Sequence, residues 1–207
     1  MRVEAVIFDI GNVLVGWDPE AFYDRMIGPD RRARLFAEVD LHQMNAAVDA
    51  GAPLRETVLA CAALHPDWAA EIRLWHDRWS DMLTPRIEGS IALLQALRKA
   101  GVPVFALTNF GQDTFEVARR GLEFLDSFDR TYVSGRLGVM KPDPRIYALV
   151  EADCGIAPGA LLFADDRAEN IAAAVARGWQ VHHFTRWEDW AACLVAAGLL
   201  SEAEAGI

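Results

Sequence analysis

The sequence predicts an α/β protein in which helices cover both faces of a parallel sheet and a second, helical domain is inserted. Five short apolar runs have the length and composition of buried parallel strands. They lie at residues 3–8, 102–107, 130–133, 161–164 and 180–184. Helical patterns separate the last four runs, at residues 114–124, 144–152 and 168–177. Strands that alternate with helices form parallel sheets with right-handed crossovers.

The interval between the first and second runs breaks this alternation. Residues 16–85 contain no convincing strand pattern, only helical segments interrupted by glycine and proline. A connection of roughly 70 residues is far longer than those that usually join neighbouring strands. We therefore predict that residues 16–85 form an all-helical cap domain and that residues 1–15 and 86–207 form the core domain. Three tryptophans at helical spacing are expected in the interior of the cap: Trp68, Trp75 and Trp79.

The composition narrows the choice of partners and location. The 207 residues carry a formal net charge of −10, and nucleic acid and anionic membrane surfaces repel an acidic protein. The three cysteines are isolated from one another, as buried thiols in a reducing compartment would be. There is no signal-like segment and no apolar run of the roughly 20 residues that span a bilayer. We expect a cytoplasmic monomer or homodimer that binds neither nucleic acid nor membrane.

Polar side chains stand at or shortly after the ends of four of the predicted strands. They are Asp9, Thr108 with Asn109, Lys141, and Asp165 with Asp166. Because parallel sheets bind ligands at the carboxyl ends of their strands, we expect these side chains to converge on one edge. Taken singly, each has an ordinary alternative, since aspartate and threonine also begin turns or cap helices. Asp166 with Glu169 fits an acidic variant of the capping box, and a lysine before a proline is usually solvated.

The predicted cluster of three carboxylates indicates a cation. Carboxylates within about 5 Å of one another repel by several kcal/mol, and a divalent ion relieves that repulsion. Carboxylate and carbonyl oxygens without cysteine or histidine suit Mg²⁺ better than Zn²⁺. The histidines lack the HxH or HExxH spacing of a metal site: His42, His65, His76, His182 and His183. The sequence therefore predicts Mg²⁺ as the cofactor.

Four motifs follow one another in a specific order: Phe-Asp-x-x from residue 8, Thr-Asn from 108, Lys-Pro from 141 and Asp-Asp-Arg-x-x-Asn from 165. In this order the sequence resembles the haloacid dehalogenase superfamily of phosphatases and dehalogenases. The likeness covers the whole chain, including a helical cap between the first and second motifs. It implies a Rossmann-like core with strand order 3-2-1-4-5. The first motif is also similar to the FDLGNV type of a bacterial subgroup that includes a sugar-phosphate phosphatase.

The resemblance implies roles for the residues that would carry the chemistry. Asp9 is the nucleophile that forms an aspartyl-phosphate, and its other oxygen is a Mg²⁺ ligand. Thr108 and the following backbone N–H hold a phosphate oxygen, and Asn109 shapes that pocket. Lys141 neutralises Asp9 and the transferring group.

The remaining implied roles concern the metal. The backbone carbonyl of Gly11 is a ligand, a role that needs no side chain. Asp166 coordinates the ion directly, and Asp165 acts through a bound water. Asn170 corresponds to a supporting position in the first turn of the next helix.

The sequence departs from the family pattern at Gly11, where most phosphatases of the superfamily carry a second aspartate that acts as general acid and base. Asp18 lies in residues 15–19, the hairpin-like flap expected to overhang the site, and is a candidate replacement; the alternative is that it caps the helix beginning at Pro19. Trp17 and Asp18, together with three residues along one cap helix, are candidates for substrate contacts, although a structural role is an equal alternative for each. The three are His42, Asn45 and Asp49.

The function that these residues favour is a Mg²⁺-dependent phosphatase acting on a small phosphorylated metabolite such as a sugar phosphate. One alternative is a 2-haloacid dehalogenase, because halide leaves without a proton and the missing aspartate then costs nothing. A metal-free dehalogenase has no use for Asp165 and Asp166, however, and the Asp-x-Tyr-Gly-Thr motif usual in such enzymes is absent. The other alternative is a binding protein that keeps the fold with weak catalysis; retention of Asp9, Lys141 and Asp166 speaks against it.

Overall fold

The computed structural model describes residues 2–207. Its strands are β1 Ala5–Phe8, β2 Val15–Trp17, β3 Leu83–Arg86, β4 Val104–Thr108, β5 Arg130–Val133, β6 Leu161–Asp165 and β7 Gln180–His183. Its helices are α1 Pro19–Ile27, α2 Pro29–Glu38, α3 Leu41–Asp49, α4 Leu54–Leu64, α5 Ala69–Asp77, α6 Glu88–Lys99, α7 Gln112–Gly121, α8 Ser134–Leu137, α9 Pro144–Cys154, α10 Ala168–Ala176, α11 Trp187–Ala196 and α12 Glu202–Ala205. Within these residues, no helix combines the length and hydropathy needed to cross a bilayer.

The central sheet has five parallel strands in the order β5-β4-β1-β6-β7. Numbered among themselves along the chain, they stand 3-2-1-4-5, which confirms the predicted α/β fold and strand order. The middle strand, β1, is fully buried. The first half of the sheet therefore lies on one side of β1 and the second half on the other, and the loops after β1, β4 and β6 open at one edge.

The alternation of side chains along β1 divides the core into two layers. Val6 and Phe8 join a hydrophobic cluster with Trp190 of α11 on one face of the sheet. Ile7 packs in a second cluster with Tyr147 of α9 on the other face. Because both faces are covered by helices, β1 reads as a continuous apolar run, which is what made the parallel sheet predictable.

The prediction that residues 16–85 contain no strand is wrong at both ends of that interval. β2 and β3 form a two-stranded antiparallel ribbon, in which Val15 pairs with Arg86 and Trp17 with Leu83. Strands this short, one containing a glycine and the other a proline, carry no readable alternation. The ribbon requires Gly16, since a Cβ there would lie 2.5 Å from the carbonyl oxygen of Thr84.

The chain between the two ribbon strands, residues 18–82, is called the helical segment below and contains α1–α5. The three tryptophans predicted to lie in its interior are buried: Trp68, Trp75 and Trp79. Trp75 is fully enclosed and packs against the rings of Trp17 and Tyr23. The ribbon is thus the covalent connection between this segment and the sheet, and Trp17 extends the segment's aromatic interior toward the edge of the sheet.

Candidate active site

A cavity of about 760 Å³ lies between the edge of the sheet and the helical segment. Its sheet-side lining includes Asp9, Gly11, Thr108, Asn109, Lys141, Asp166 and Asn170. Its lining from the other side includes Trp17, Asp18, His42, Asn45 and Asp49. Of the site residues predicted from the sequence, Asp165 alone is not part of this lining, because it is fully buried behind the others. The structure therefore brings the four motifs to one place.

Lys141 joins the ends of three strands. Its Nζ lies 2.9 Å from Oδ2 of Asp9 and 2.6 Å from Oδ2 of Asp165, and it donates to the carbonyl oxygen of Leu107 at 2.9 Å. The side chain is only 1% exposed. Burial alone would lower the pKa of Lys141, but Asp9 and Asp165 raise it above its ordinary value. Lys141 therefore stays a cation, and all three of its N–H donors are used.

The loop that carries Lys141 is held by the side chain of Asn109. Asn109 Nδ2 donates to the carbonyl oxygen of Lys141 at 2.9 Å, and Lys141 N donates to Asn109 Oδ1 at 2.9 Å. This reciprocal pair fixes the loop between α8 and α9 against the end of β4. Thr108, the last residue of β4, is 1% exposed and lines the cavity beside it. Asn109 thus shapes the site through the backbone of Lys141.

The three aspartates each offer an oxygen within 4.8 Å of the others. Burial raises the pKa of Asp9, while Lys141 opposes that effect. Burial also raises the pKa of Asp166, and a hydrogen bond from Asn12 opposes it. Carboxylates this close to one another form a donor set suited to a hard divalent ion, which would offset their mutual repulsion.

Asp165 and Asp166 differ in how their oxygens are used. Asp165 accepts from Asn170 Nδ2 at 2.9 and 3.0 Å, from Arg167 N at 2.8 Å and from Lys141. Asp166 is only partly buried and accepts one side-chain hydrogen bond, from Asn12 Nδ2 at 3.0 Å. Asp166 therefore has lone pairs free toward the cavity, whereas those of Asp165 are taken up by protein donors.

Asn12 is a site residue that the sequence reasoning did not identify. Its backbone is in the left-handed region, with φ at 56°, which asparagine tolerates better than most residues. Its Nδ2 donates to Asp166, and its Oδ1 accepts from Trp17 N at 3.0 Å. Asn12 therefore couples the metal-site candidate to the ribbon. The signal was present in the Gly-Asn pair after Asp9, a combination typical of turns.

At Gly11, a Cβ would meet no atom within 4 Å, so the missing aspartate of the family pattern is not excluded by crowding. Asp18, the candidate replacement, accepts from Ala21 N at 2.8 Å and caps α1, with Pro19 in the first helical position. The structure thus gives Asp18 the capping role that the sequence offered as the alternative. It also places Asp18 in the lining of the cavity.

Two of the three candidates on α3 are linked to each other and to the sheet. Asn45 Oδ1 accepts from Trp75 Nε1 at 3.1 Å, and Asn45 Nδ2 donates to Asp49 Oδ2 at 2.8 Å. Asp49 Oδ1 accepts from Gly111 N at 3.1 Å, in the loop after β4. Burial raises the pKa of Asp49 to about 7. His42, in contrast, has a side chain that is 61% exposed at the margin of the cavity.

Comparison with known proteins agrees with this geometry. A family model described as haloacid dehalogenase-like hydrolase matches residues 3–178. The chain is 30% identical over 209 residues to enolase-phosphatase E1 of Acidiphilium cryptum, covering 91% of this chain and 87% of that protein. It is 33% identical over 94 residues to sesquiterpene phosphatase astK of Aspergillus oryzae, covering 45% and 48%. It is 32% identical over 109 residues to (S)-2-haloacid dehalogenase of Pseudomonas fluorescens, covering 51% and 48%. The chain thus spans about half the length of the last two relatives.

Among solved structures, the chain is similar to the HAD family enzyme BT-2542 of Bacteroides thetaiotaomicron, with a TM-score of 0.69 and 22% identity. The match covers 93% of this chain and 99% of that one. That enzyme was crystallised in complex with magnesium and inorganic phosphate. At this identity the likeness establishes a shared fold.

Proposed function

Because this chain belongs to the haloacid dehalogenase-like hydrolase family, we propose that it is a Mg²⁺-dependent phosphatase of a small phosphorylated metabolite, with Asp9 as the nucleophile. The observation that carries this proposal is the position of Lys141, which contacts both Asp9 and Asp165 beside the third carboxylate, Asp166. Similarity to two phosphatases supports the choice of reaction.

In this proposal Asp9 attacks phosphorus. A bond forms between a carboxylate oxygen of Asp9 and phosphorus as the bond to the leaving alkoxide breaks, giving an aspartyl-phosphate. Lys141 favours this step because its positive charge lowers the pKa of Asp9 against the larger effect of burial, which raises that pKa to about 7. Water then attacks the phosphorus, releases inorganic phosphate and restores Asp9. Since residue 11 is glycine, the proton for the alkoxide comes from solvent or from an acid in the cavity, of which Asp18 is the candidate.

Four residues would hold the cation. Asp9 and Asp166 would bind through carboxylate oxygens, Gly11 through its carbonyl, and Asp165 through a water, because the oxygens of Asp165 already accept protein hydrogen bonds. Bound Mg²⁺ supplies positive charge against the phosphoryl oxygens. Asn170 holds Asp165 in place for this role. Thr108 and the N–H of Asn109 would bind a phosphate oxygen.

We further propose that residues 16–85 act as a cap domain that encloses the leaving group, which can be a sugar. Trp17, Asp18 and Asn45 line the cavity on that side and are the proposed substrate contacts. Enclosure of the leaving group in this cavity would strengthen each polar contact made to it.

A 2-haloacid dehalogenase is the second candidate, favoured by Gly11 and by the dehalogenase relative. Assays with p-nitrophenyl phosphate and Mg²⁺, and with 2-chloropropionate in chelator, separate the two functions. We expect hydrolysis of the phosphate ester that stops with EDTA and returns with excess Mg²⁺. Chloride release in chelator, without ester hydrolysis in Mg²⁺, would assign the dehalogenase instead.

A further inference from the structure

Asp49 is a partly buried carboxyl group in the cavity that the proposed chemistry does not use. Both of its oxygens accept hydrogen bonds from neutral donors, one from Gly111 N and one from Asn45 Nδ2. Within the described residues, no lysine, arginine or histidine forms an ion pair with it. Burial raises its pKa to about 7, and the hydrogen bond from Gly111 N opposes that effect.

The other carboxylates that the helical segment contributes to the cavity are compensated. Asp18 accepts from the first turn of α1, whose free N–H groups favour negative charge. Glu20 and Asp24 lie 3.2 and 2.8 Å from the guanidinium nitrogens of Arg32. Asp49 is therefore the carboxylate on this side of the cavity whose charge is least neutralised.

An ionised carboxylate has about four acceptor positions, and the two hydrogen bonds to Asp49 leave others open. In a partly dehydrated cavity, an uncompensated anion gains from a ligand that donates hydrogen bonds and repels a ligand that carries negative charge. Such a residue discriminates by exclusion as well as by attraction.

We propose that Asp49 selects substrates whose leaving group carries a hydroxyl or ammonium donor and excludes those whose leaving group carries a carboxylate or a second phosphate. This inference rests on the phosphatase function proposed above and adds the chemical class of its substrate: phosphate monoesters of polyols or amino alcohols.

The test uses three two-carbon phosphate esters that differ in the charge of the leaving group: 2-hydroxyethyl phosphate, 2-aminoethyl phosphate and phosphoglycolate. p-Nitrophenyl phosphate with Mg²⁺ serves as the reference. Assays at pH 8 keep Asp49 ionised, since this is above the pKa of about 7. We expect the wild type to show kcat/KM for the hydroxyl and amino esters at least tenfold above that for phosphoglycolate.

Two variants separate charge from structure. Asp49→Asn removes the charge but places two amide groups opposite each other. The exchange Asn45→Asp with Asp49→Asn keeps the charge in the pair, keeps an acceptor for Trp75 Nε1 and Gly111 N, and reverses only the bond between residues 45 and 49. Asp30→Asn, on the exposed surface of α2, is the matched control for loss of one negative charge.

For Asp49→Asn, we expect the ratio of phosphoglycolate to reference kcat/KM to rise at least tenfold and the ratio for the amino ester to fall. The exchange variant should keep the wild-type order, and Asp30→Asn should match the wild type. An equal change for every ester, in either variant, would mean that Asp49 only links α3 to the loop after β4. That result would overturn the inference. Equal use of all esters by the wild type would also overturn it, while leaving the phosphatase intact. Failure to hydrolyse even p-nitrophenyl phosphate would overturn both.

Discussion

The buried carboxylates on the two sides of the cavity differ in whether a cation lies beside them. On the sheet side, the buried Asp9 and Asp165 are both paired with Lys141, and Asn170 completes the hydrogen bonds of Asp165. On the side of the helical segment, Asp49 is held only by an amide side chain and a backbone N–H. Paired charges hold a fixed geometry for chemistry, whereas an unpaired one stays available to a ligand. The contrast suggests that the sheet supplies the reaction and the helical segment supplies the selection.

The strongest test of this division is Asp9→Asn. An amide cannot attack phosphorus, so we expect turnover of p-nitrophenyl phosphate to fall by about 10⁴-fold or more, a loss typical for removal of a nucleophile. The variant should remain folded, because an amide in that position is neutral. Steady-state phosphate release measures the effect, with Asp30→Asn as the control. Retention of a tenth of the wild-type rate would exclude Asp9 as the nucleophile.

Lys141→Ala should have the next largest effect, and it should lower both turnover and the free energy of unfolding. Loss of Lys141 leaves Asp9 and Asp165 buried without a compensating cation, which typically costs about 3–5 kcal/mol of folding free energy. Turnover should fall roughly 10²- to 10³-fold through loss of charge stabilisation. Urea unfolding and steady-state kinetics measure the two effects. If the variant were as stable as the wild type, the ion pairs of Lys141 with Asp9 and Asp165 would contribute nothing to the free energy of unfolding.

Asn12→Ala should weaken the metal site without removing a ligand. Asn12 is the side-chain partner that orients Asp166, and loss of such a partner typically costs about 10- to 100-fold in metal affinity. The Mg²⁺ concentration for half-maximal activity should rise by that factor, while kcat at saturating Mg²⁺ changes less. A titration of activity against Mg²⁺ measures this. An unchanged midpoint would show that the hydrogen bond from Asn12 to Asp166 does not contribute to metal affinity.

The sheet and the ribbon also differ in how far they could be predicted from the sequence. The convergence of Asp9, Lys141 and Asp165 follows from apolar runs that end in motifs, because a buried parallel strand leaves few choices for where its end lies. The strand order was implied by the resemblance to the haloacid dehalogenase superfamily. A hairpin-like flap was expected at residues 15–19, but its pairing with β3 was not predictable, because that pairing joins residues roughly 70 apart and the strands contain Gly16 and Pro85. The helical segment is therefore connected to the sheet by two strands that pair with each other.

The sequence also did not predict the hydrogen bonds that join the helical segment to the loop after β4. The spacing of Asn45 and Asp49 places them on one face of a helix, but nothing local predicts that Gly111, far along the chain, donates to Asp49. Similarly, the role of Asn12 depends on Asp166, 154 residues away. Hydrogen bonds between distant segments depend on how those segments dock, and this information is absent from local patterns.

The smallest expected effect tests the unpaired state of Asp49 directly, through stability rather than activity. Its pKa is raised from 3.8 to about 7 by burial, so the folded protein holds this proton over a range in which the unfolded chain has released it. As pH rises from 5 to 8, the wild type therefore loses stability at this position, and Asp49→Asn does not. The difference in unfolding free energy should shift in favour of the variant by about 1–2 kcal/mol, allowing for the partial exposure of the group. Urea unfolding of both proteins in chelator at each pH measures it, and Asp30→Asn should show no such shift. A difference that stays flat with pH would mean that Asp49 is ionised at little cost, and the distinction between the two sides of the cavity would then fail.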